Sequence, residues 1–319
     1  MGRRPILYLM AAGTVLLWGA SFPLTRLALM WSGPTSVAFL RWSISALALG
    51  TWLTISRHQR QAKGPERSNP DSAPPDKLLV AGRLLRREAR TLLWVSLCGI
   101  TVFYFLENLA MRYTSVINAG VLANLTTVFI VLLGTVWLHE RLTGLEWLAM
   151  AIAFLGAVIV SQGSGHLTIS APGLRGDLLM VVASFFGAVY SIGGKRLVDT
   201  SPPDVVMALV ATVGAAFLLP LALLEGLNLA LPPAAWGVLL LLGLGAGALA
   251  NLWWLSILAQ TRASRAGLVP LLVPVTSTTL AVLALGEPLT VTVVLGGTLV
   301  VGGVAATELV AARRSGPER

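Results

Sequence analysis

A chain of 319 residues that is 55% hydrophobic and only 12% charged is not an ordinary soluble domain, which carries roughly 25% charged residues. Its net charge of +9 and mean hydropathy of +0.79 point to basic cytoplasmic loops of a membrane protein rather than to nucleic acid. Apolar runs of about 20 residues recur, so the expected class is all-α and polytopic; the runs are continuous rather than alternating, which argues against a β-barrel.

Breaks at Gly, Pro and charged residues divide the chain into ten expected spans: 6–26, 34–56, 91–111, 115–138, 144–163, 176–196, 204–224, 234–257, 266–286 and 289–311. Span one follows Arg3 and Arg4 and looks like a signal peptide. It is expected to stay as a helix, because Trp18-Gly19-Ala20 is echoed at Phe186-Gly187-Ala188. Met1-Gly2 does not make a myristoylation site, since Ile6 stands where Ser or Thr is needed. Span two carries Arg41. The polar insertion 57–90 after it is rich in Arg, Pro, Ser and Asp and is expected to be a largely disordered cytoplasmic loop. Within it, 77–90 reads either as a basic amphipathic surface helix, with Leu78, Leu79, Leu84 and Leu85 among four arginines, or as a solvated linker.

Span three holds the lone cysteine, Cys98, which can form neither an intrachain disulfide nor a metal site by itself. Thr101, Tyr104, Glu107, Asn108 and Met111 follow helical spacing on one face of this span. Span four contributes Asn118, Asn124 and Thr127, and span six Tyr190, at a depth comparable with Trp18 in span one. Gly247, Asn251, Trp254 and Leu258 share a face of span eight. Pro270, Pro274 and Ser277 mark span nine, where a proline frees a carbonyl of the preceding turn. Small residues line spans five (Ala149, Ala153, Gly156) and ten (Gly296, Gly297, Gly302, Gly303), for internal packing or for dimerisation. The break between spans nine and ten rests on the tight turn at Glu287-Pro288.

With the N-terminus in the cytoplasm, 19 of the 23 Lys and Arg fall on the cytoplasmic side; only Arg26, Arg41, Arg112 and Arg175 do not. That bias predicts ten spans with both termini inside. The chain also repeats itself. Ala119-Gly120 followed by Glu140-Arg141-Leu142-Thr143 recurs as Ala266-Gly267 followed by Glu287-Pro288-Leu289-Thr290, at a constant offset of 147. Gly19 and Gly187 are 168 apart, and the excess of 21 matches an insertion present only in the first half. The expected units are 1–163 and 164–312, with a cytoplasmic tail at 313–319. Five spans per unit make the repeat inverted, placing Glu140 at the cytoplasmic face and Glu287 at the outer face.

Enzyme chemistry finds no support. Gly194-Lys195 is preceded by Val189 instead of the leading glycine of a phosphate loop and followed by Arg196 instead of Ser or Thr. Gly243, Gly245 and Gly247 space like a dinucleotide loop but lie in an apolar run, where close helix packing explains them. His58, His139 and His166 are scattered, so neither a metal nor a cofactor is expected.

Polar groups inside spans usually face a bundle interior or a wet cavity. At the repeat offset Tyr104 falls on Asn251 and Glu107 on Trp254, so two independently patterned faces coincide. The candidate lining is therefore Trp18, Arg41, Tyr104, Glu107, Asn108, Asn124, Tyr190, Asn251 and Trp254, with Trp253 an additional aromatic. Glu107 reads as a proton-coupling or amine-binding carboxylate, against a solvated group paired with Arg41 or Arg112. Arg41 reads as a partner for a substrate carboxylate, against one for a helix-end carbonyl or lipid phosphate. Pro270, Pro274, Gly120 and Gly267 are hinge candidates, and Glu140 and Glu287 are expected to cap or clamp short turns.

The ordered set Trp18-Gly19-Ala20-Ser21-Phe22 with Arg26, Arg41, Ala119-Gly120 through Thr143, Gly156, Gly187, Ala266-Gly267-Leu268, Pro270, Pro274, Gly286 through Thr290, and Gly302-Gly303 resembles the drug/metabolite transporter superfamily, EamA-domain type. The resemblance covers nearly the whole chain except 57–90 and the tails. It departs from the pattern at Thr127, where the first half often has proline, which argues against a kink in span four matching that of span nine. It implies a secondary transporter of the bacterial-type inner (plasma) membrane, working by alternating access without ATP hydrolysis. Export of small metabolites is implied, with aromatic or apolar amino acids favoured. Efflux of drugs or organic cations is a rival, favoured if Glu107 faces the cavity unpaired. A non-transporting sensor or scaffold is another, opposed by the lack of a sizeable soluble domain. The expected partners are a small-molecule substrate and membrane lipid, with the oligomeric state open.

Overall fold

The computed structural model describes residues 3–62, 76–114, 116–163, 171–276 and 291–314, and every regular element among them is helical. In chain order these are α1 (Arg3–Ala28), α2 (Pro34–Ala62), α3 (Lys77–Arg87), α4 (Ala89–Ala110), α5 (Val116–Ala123), α6 (Leu125–Trp137), α7 (Gly144–Gly163), α8 (Ala171–Val198), α9 (Pro203–Glu225), α10 (Pro233–Gln260), α11 (Ala263–Thr276) and α12 (Val291–Arg314). Among the described residues six helices are long and apolar enough to cross a membrane: α1, α2, α4, α8, α9 and α10. The other four expected spans fall on shorter apolar helices, within α6, α7, α11 and α12. The turn at Glu287-Pro288 and Ser277 lie outside the described residues.

Large apolar side chains face outward along these helices, with Leu224 85% exposed. The interior is apolar too, with Val37, Trp42, Met180 and Leu255 fully buried, and it also takes in Thr14, Ser45, Ser96, Thr127, Ser184 and Asn251. An apolar exterior of this extent fits a hydrocarbon surround. Helix starts and stops follow local chemistry. Pro202 and Pro203 open α9, where a missing N–H costs nothing. Gly226 closes it with φ +89°, a left-handed conformation that glycine adopts freely. The Glu225 carboxylate then binds the start of α2, accepting from Thr35 N and Oγ1 (both 3.2 Å) and from Ser36 N and Oγ (both 2.8 Å).

The insertion is more ordered than expected. Helix α2 runs on to Ala62, and residues 77–87 form α3 rather than a linker. Asp76 caps α3 by accepting from Leu78 N at 3.0 Å, and Arg57 reaches Asp76 at 3.2 Å. Ala81 and Leu84 are buried, Lys77 pairs with Asp204 of α9, and Arg83, Arg86 and Arg87 face outward. One face of α3, through Ala81 and Leu84, thus covers the bundle while Leu79, Leu85 and the arginines face outward, which is nearer the amphipathic alternative than the linker. Residues 63–75 lie outside the described set.

Small residues let helices touch backbone to backbone. A Cβ at Gly303 would stand 2.6 Å from the Ala149 carbonyl, and one at Gly156 would stand 2.7 Å from the Gly296 carbonyl. Helices α7 and α12 therefore pack directly on each other, and these glycines serve internal packing rather than dimerisation. Gly302 faces open space. Ser45 Oγ of α2 donates to the Gly243 carbonyl of α10 at 2.7 Å, and a Cβ on Gly243 would collide with Ile44. Gly243 and Gly247 are thus helix-contact residues, not a nucleotide loop.

Two helices carry a π-helical turn: α4 at Leu97–Val102 and α10 at Leu241–Leu249. Both turns end at positions related by the 147-residue offset, Val102 and Leu249. A second pair of interruptions follows the same offset. The chain breaks at Asn124 between α5 and α6, and tightens to a 3₁₀ turn at Val269–Leu272 in α11, which corresponds to 122–125. The fourth span is therefore interrupted although Thr127 replaces proline. Asn124 supplies the cause: its Nδ2 donates to the Gly120 carbonyl at 3.2 Å and competes with the helix ladder. Thr127 then ties the two interruptions together, its Oγ1 donating to the Gly267 carbonyl at 2.7 Å.

Candidate functional site

The π turn of α4 and the two interruptions meet at a central cavity, partly open to the outside, with about 770 Å³ of space not filled by atoms. Helices α1, α2, α4, α5, α6, α8, α10 and α11 all contribute to its wall. Eight of the nine lining residues expected from the sequence are there: Trp18, Arg41, Tyr104, Glu107, Asn124, Tyr190, Asn251 and Trp254. Two of the four hinge candidates, Gly120 and Pro270, are there as well.

Aromatic packing fixes much of this wall. Trp18 and Trp254 sit with ring centroids 5.5 Å apart. Tyr104 is held edge-on by Trp42 at 5.0 Å and by Phe103 at 4.7 Å. The Arg41 guanidinium carbon lies 4.5 Å from the centre of the Tyr104 ring, within cation–π range. Asn251 is locked by its own helix: its Nδ2 donates to the carbonyls of Ala246 (2.8 Å) and Gly247 (3.0 Å), groups of the π turn. Its Oδ1 accepts from Tyr190 Oη at 3.4 Å.

Electrostatics are the unusual part. Arg41 is 2% exposed and Glu107 5% exposed. Among the described residues no ion pair reaches either group, so Glu107 is paired with neither Arg41 nor Arg112. Arg41 Nε, Glu107 Oε2 and Trp18 Nε1 are buried without a hydrogen-bond partner. Buried polar atoms are normally satisfied, so three unpartnered ones on residues of one cavity wall are unusual; Trp42 Nε1, Asn108 Oδ1 and Ser264 Oγ, off that wall, are unpartnered as well.

Some expectations fail. Asn108 does not line the cavity; its Nδ2 donates to the Pro34 carbonyl at 2.9 Å and ties α4 to the start of α2. Trp253 packs against Gly13 of α1 instead of the cavity. Gly267 and Pro274 are also off the wall, and the Gly267 carbonyl is taken by Thr127. Glu140 lies away from the cavity and caps the start of α11, accepting from Ala263 N at 2.7 Å and Ser264 N at 2.9 Å. Glu287 and the Asn118 side chain lie outside the described residues. Sequence reasoning missed Ser21, Phe22, Gly99, Phe103, Thr126 and Ser191 on the wall. The signal for Gly99 was its lack of a side chain: a Cβ there would run into the Tyr190 ring.

Known proteins agree with this architecture. A crystal structure covering 98% of this chain and 99% of its own superposes with a TM-score of 0.76 at 21% identity, which speaks for the fold. An uncharacterized transporter of Archaeoglobus fulgidus is 26% identical over 93% of this chain and 95% of its own length. A probable terminal-alkyne amino-acid exporter of Streptantibioticus cattleyicolor is 26% identical over 91% of this chain and 89% of its own. The sequence model of the EamA-like transporter family matches residues 5–162 and again 174–308. An apolar helical bundle around a largely apolar cavity with Arg41 and Glu107 in its wall, matched by this family along almost its entire length, makes the chain a member of the EamA-like transporter family, a membrane transporter and not an enzyme.

Proposed function

We propose that the chain exports amino acids with apolar or aromatic side chains across the inner (plasma) membrane. In this reading ten spans form two inverted five-helix repeats with both termini in the cytoplasm. The repeats rock about the central cavity and open it to one side at a time. The observation that carries the substrate class is the pair of opposite buried charges in one cavity wall, Arg41 and Glu107, that form no ion pair with each other. A zwitterion supplies a carboxylate for the guanidinium and an ammonium for the carboxylate, so a single guest neutralises both. Trp18, Tyr104, Tyr190 and Trp254 offer an apolar wall for its side chain. The likeness to a probable amino-acid exporter supports the same class.

Efflux of lipophilic cations is the second reading, because Glu107 faces the cavity outside any ion pair among the described residues. Arg41 in the same wall opposes it, since a guest with only positive charge leaves the guanidinium unmatched. Counterflow in proteoliposomes with a labelled amino-acid mixture separates the two. Uptake of aromatic or branched amino acids, lost in Arg41→Gln, is expected; counterflow of lipophilic cations alone would refute the amino-acid reading. Glu107 is also the candidate for proton coupling. Glu107→Gln is expected to flatten the pH dependence of flux, and an unchanged dependence removes Glu107 as the proton carrier.

A further inference from the structure

A second cavity lies on the flank of the bundle, where α4, α6 and α8 meet, and holds about 1180 Å³ of space open to the surroundings. Its floor and walls are apolar: Trp94, Val95, Phe186, Val189 and Ile192. Trp94 is 64% exposed and Trp137, at the opposite wall, 44% exposed. Both belong to apolar helices, so the mouth faces hydrocarbon rather than water. At one end stand Arg90 and Arg196, both exposed. Among the described residues no ion pair reaches either, and no acidic side chain lines the groove. Arg196 Nη2 donates to the Trp137 carbonyl at 3.1 Å, which steadies the guanidinium at the rim and leaves its other donors free.

We propose that this groove binds one anionic phospholipid, its phosphate between Arg90 and Arg196 and an acyl chain along Trp94, Val189 and Ile192. The form is an apolar slot open to the bilayer with two unpaired cations at the headgroup end and tryptophans at interface depth. A guanidinium pair suits a phosphodiester because each presents parallel N–H donors. A zwitterionic lipid would bring its own cation to the same two arginines and gain less. The site is separate from the central cavity and stands whatever that cavity carries.

Native mass spectrometry of the full-length protein in mild detergent, offered equal phosphatidylglycerol and phosphatidylcholine, tests this. The wild type is expected to retain a single phosphatidylglycerol in preference to phosphatidylcholine. The double variant Arg90→Gln/Arg196→Gln is expected to lower that preference roughly 30-fold, about five-fold per arginine. Arg83→Gln/Arg86→Gln removes the same charge from α3, outside the groove, and is expected to keep it. Val189→Trp fills the slot with both arginines in place and is expected to lose the adduct. Equal retention of the two lipids by the wild type would overturn the proposal. So would equal losses in the two arginine pairs, an undiminished adduct in Val189→Trp, or a dimer that carries no lipid.

Discussion

Replacing Glu140 with Ala is expected to unfasten the end of α6 from the start of α11. The carboxylate accepts two backbone N–H groups, at 2.7 Å from Ala263 and 2.9 Å from Ser264, and Arg262 Nε lies 4.0 Å away. Ala263 and Ser264 are 0% and 2% exposed, so both N–H groups lose their acceptor where water reaches them poorly. Hydrogen bonds to a charged group contribute about 1.5–3 kcal/mol each, which for two gives roughly 3–6 kcal/mol. The Arg262 side chain is 41% exposed, so some water re-enters beside it, and the lower figure of about 3 kcal/mol is the working value. At about 2 °C per kcal/mol for a chain of this size, Glu140→Ala is expected to melt ~6 °C below the wild type. Glu140→Gln keeps one acceptor oxygen and turns an amide toward the second N–H, so its loss is expected to be intermediate. Tryptophan-fluorescence melting in detergent measures both. An unchanged melting temperature for Glu140→Ala, or a larger drop for Gln than for Ala, would refute the reasoning.

Gly303→Ala puts a methyl 2.6 Å from the Ala149 carbonyl and is expected to destabilise by about 2 kcal/mol. Its neighbour Gly302→Ala points into open space and is expected to be neutral or to gain up to about 1 kcal/mol of helix propensity; the same melting assay reads both. Gly99→Val drives the Tyr190 ring out of its place in the cavity wall and is expected to abolish counterflow. Tyr190→Phe keeps the ring and loses only the long 3.4 Å bond to Asn251 and the weak 3.5 Å contact to Met207 Sδ, at a cost of about 1 kcal/mol, and should retain most flux. Glu225→Ala strips its acceptors from Thr35 and Ser36 and is expected to lower the melting temperature by several degrees, because the start of α2 loses its cap.

The sequence revealed the cavity where polar residues sat on two stripes that agree across the repeat. Tyr104 with Asn251 and Glu107 with Trp254 were legible because burying such groups in hydrocarbon is costly without a polar destination. Asn108 was misread because spacing shows which residues share a face, not which neighbour covers each part of it. Tyr104, Glu107 and Asn108 lie on one regular stretch after the π turn, and the start of α2 covers the Asn108 edge and takes its amide at the Pro34 carbonyl. Thr101, inside the π turn, is likewise taken by a neighbour, its Oγ1 donating to the Gly214 carbonyl of α9. The order of α3 was legible only as an alternative, since its stability depends on Leu84 and Ala81 meeting a neighbour that lies far away in sequence. The break at Asn124 was hidden because proline is the expected breaker and a side-chain amide does the same work here. Neither Arg90 nor Arg196 announced a groove, since Phe186, Trp94 and Trp137 come from three separate helices.

The π turn in α4 has a mechanical meaning. A helix that carries one surplus residue has slack, and exchanging hydrogen bonds can hand the surplus to the next turn down the chain. Each such step twists the residues it passes by about 100°, while both ends of the helix stay where they are. Asn108 pins the far end to Pro34, so Tyr104 and Glu107 are the side chains that such a twist would swing. These two side chains of the cavity wall could then be turned away like a key in a lock, without prising any helix from its neighbours.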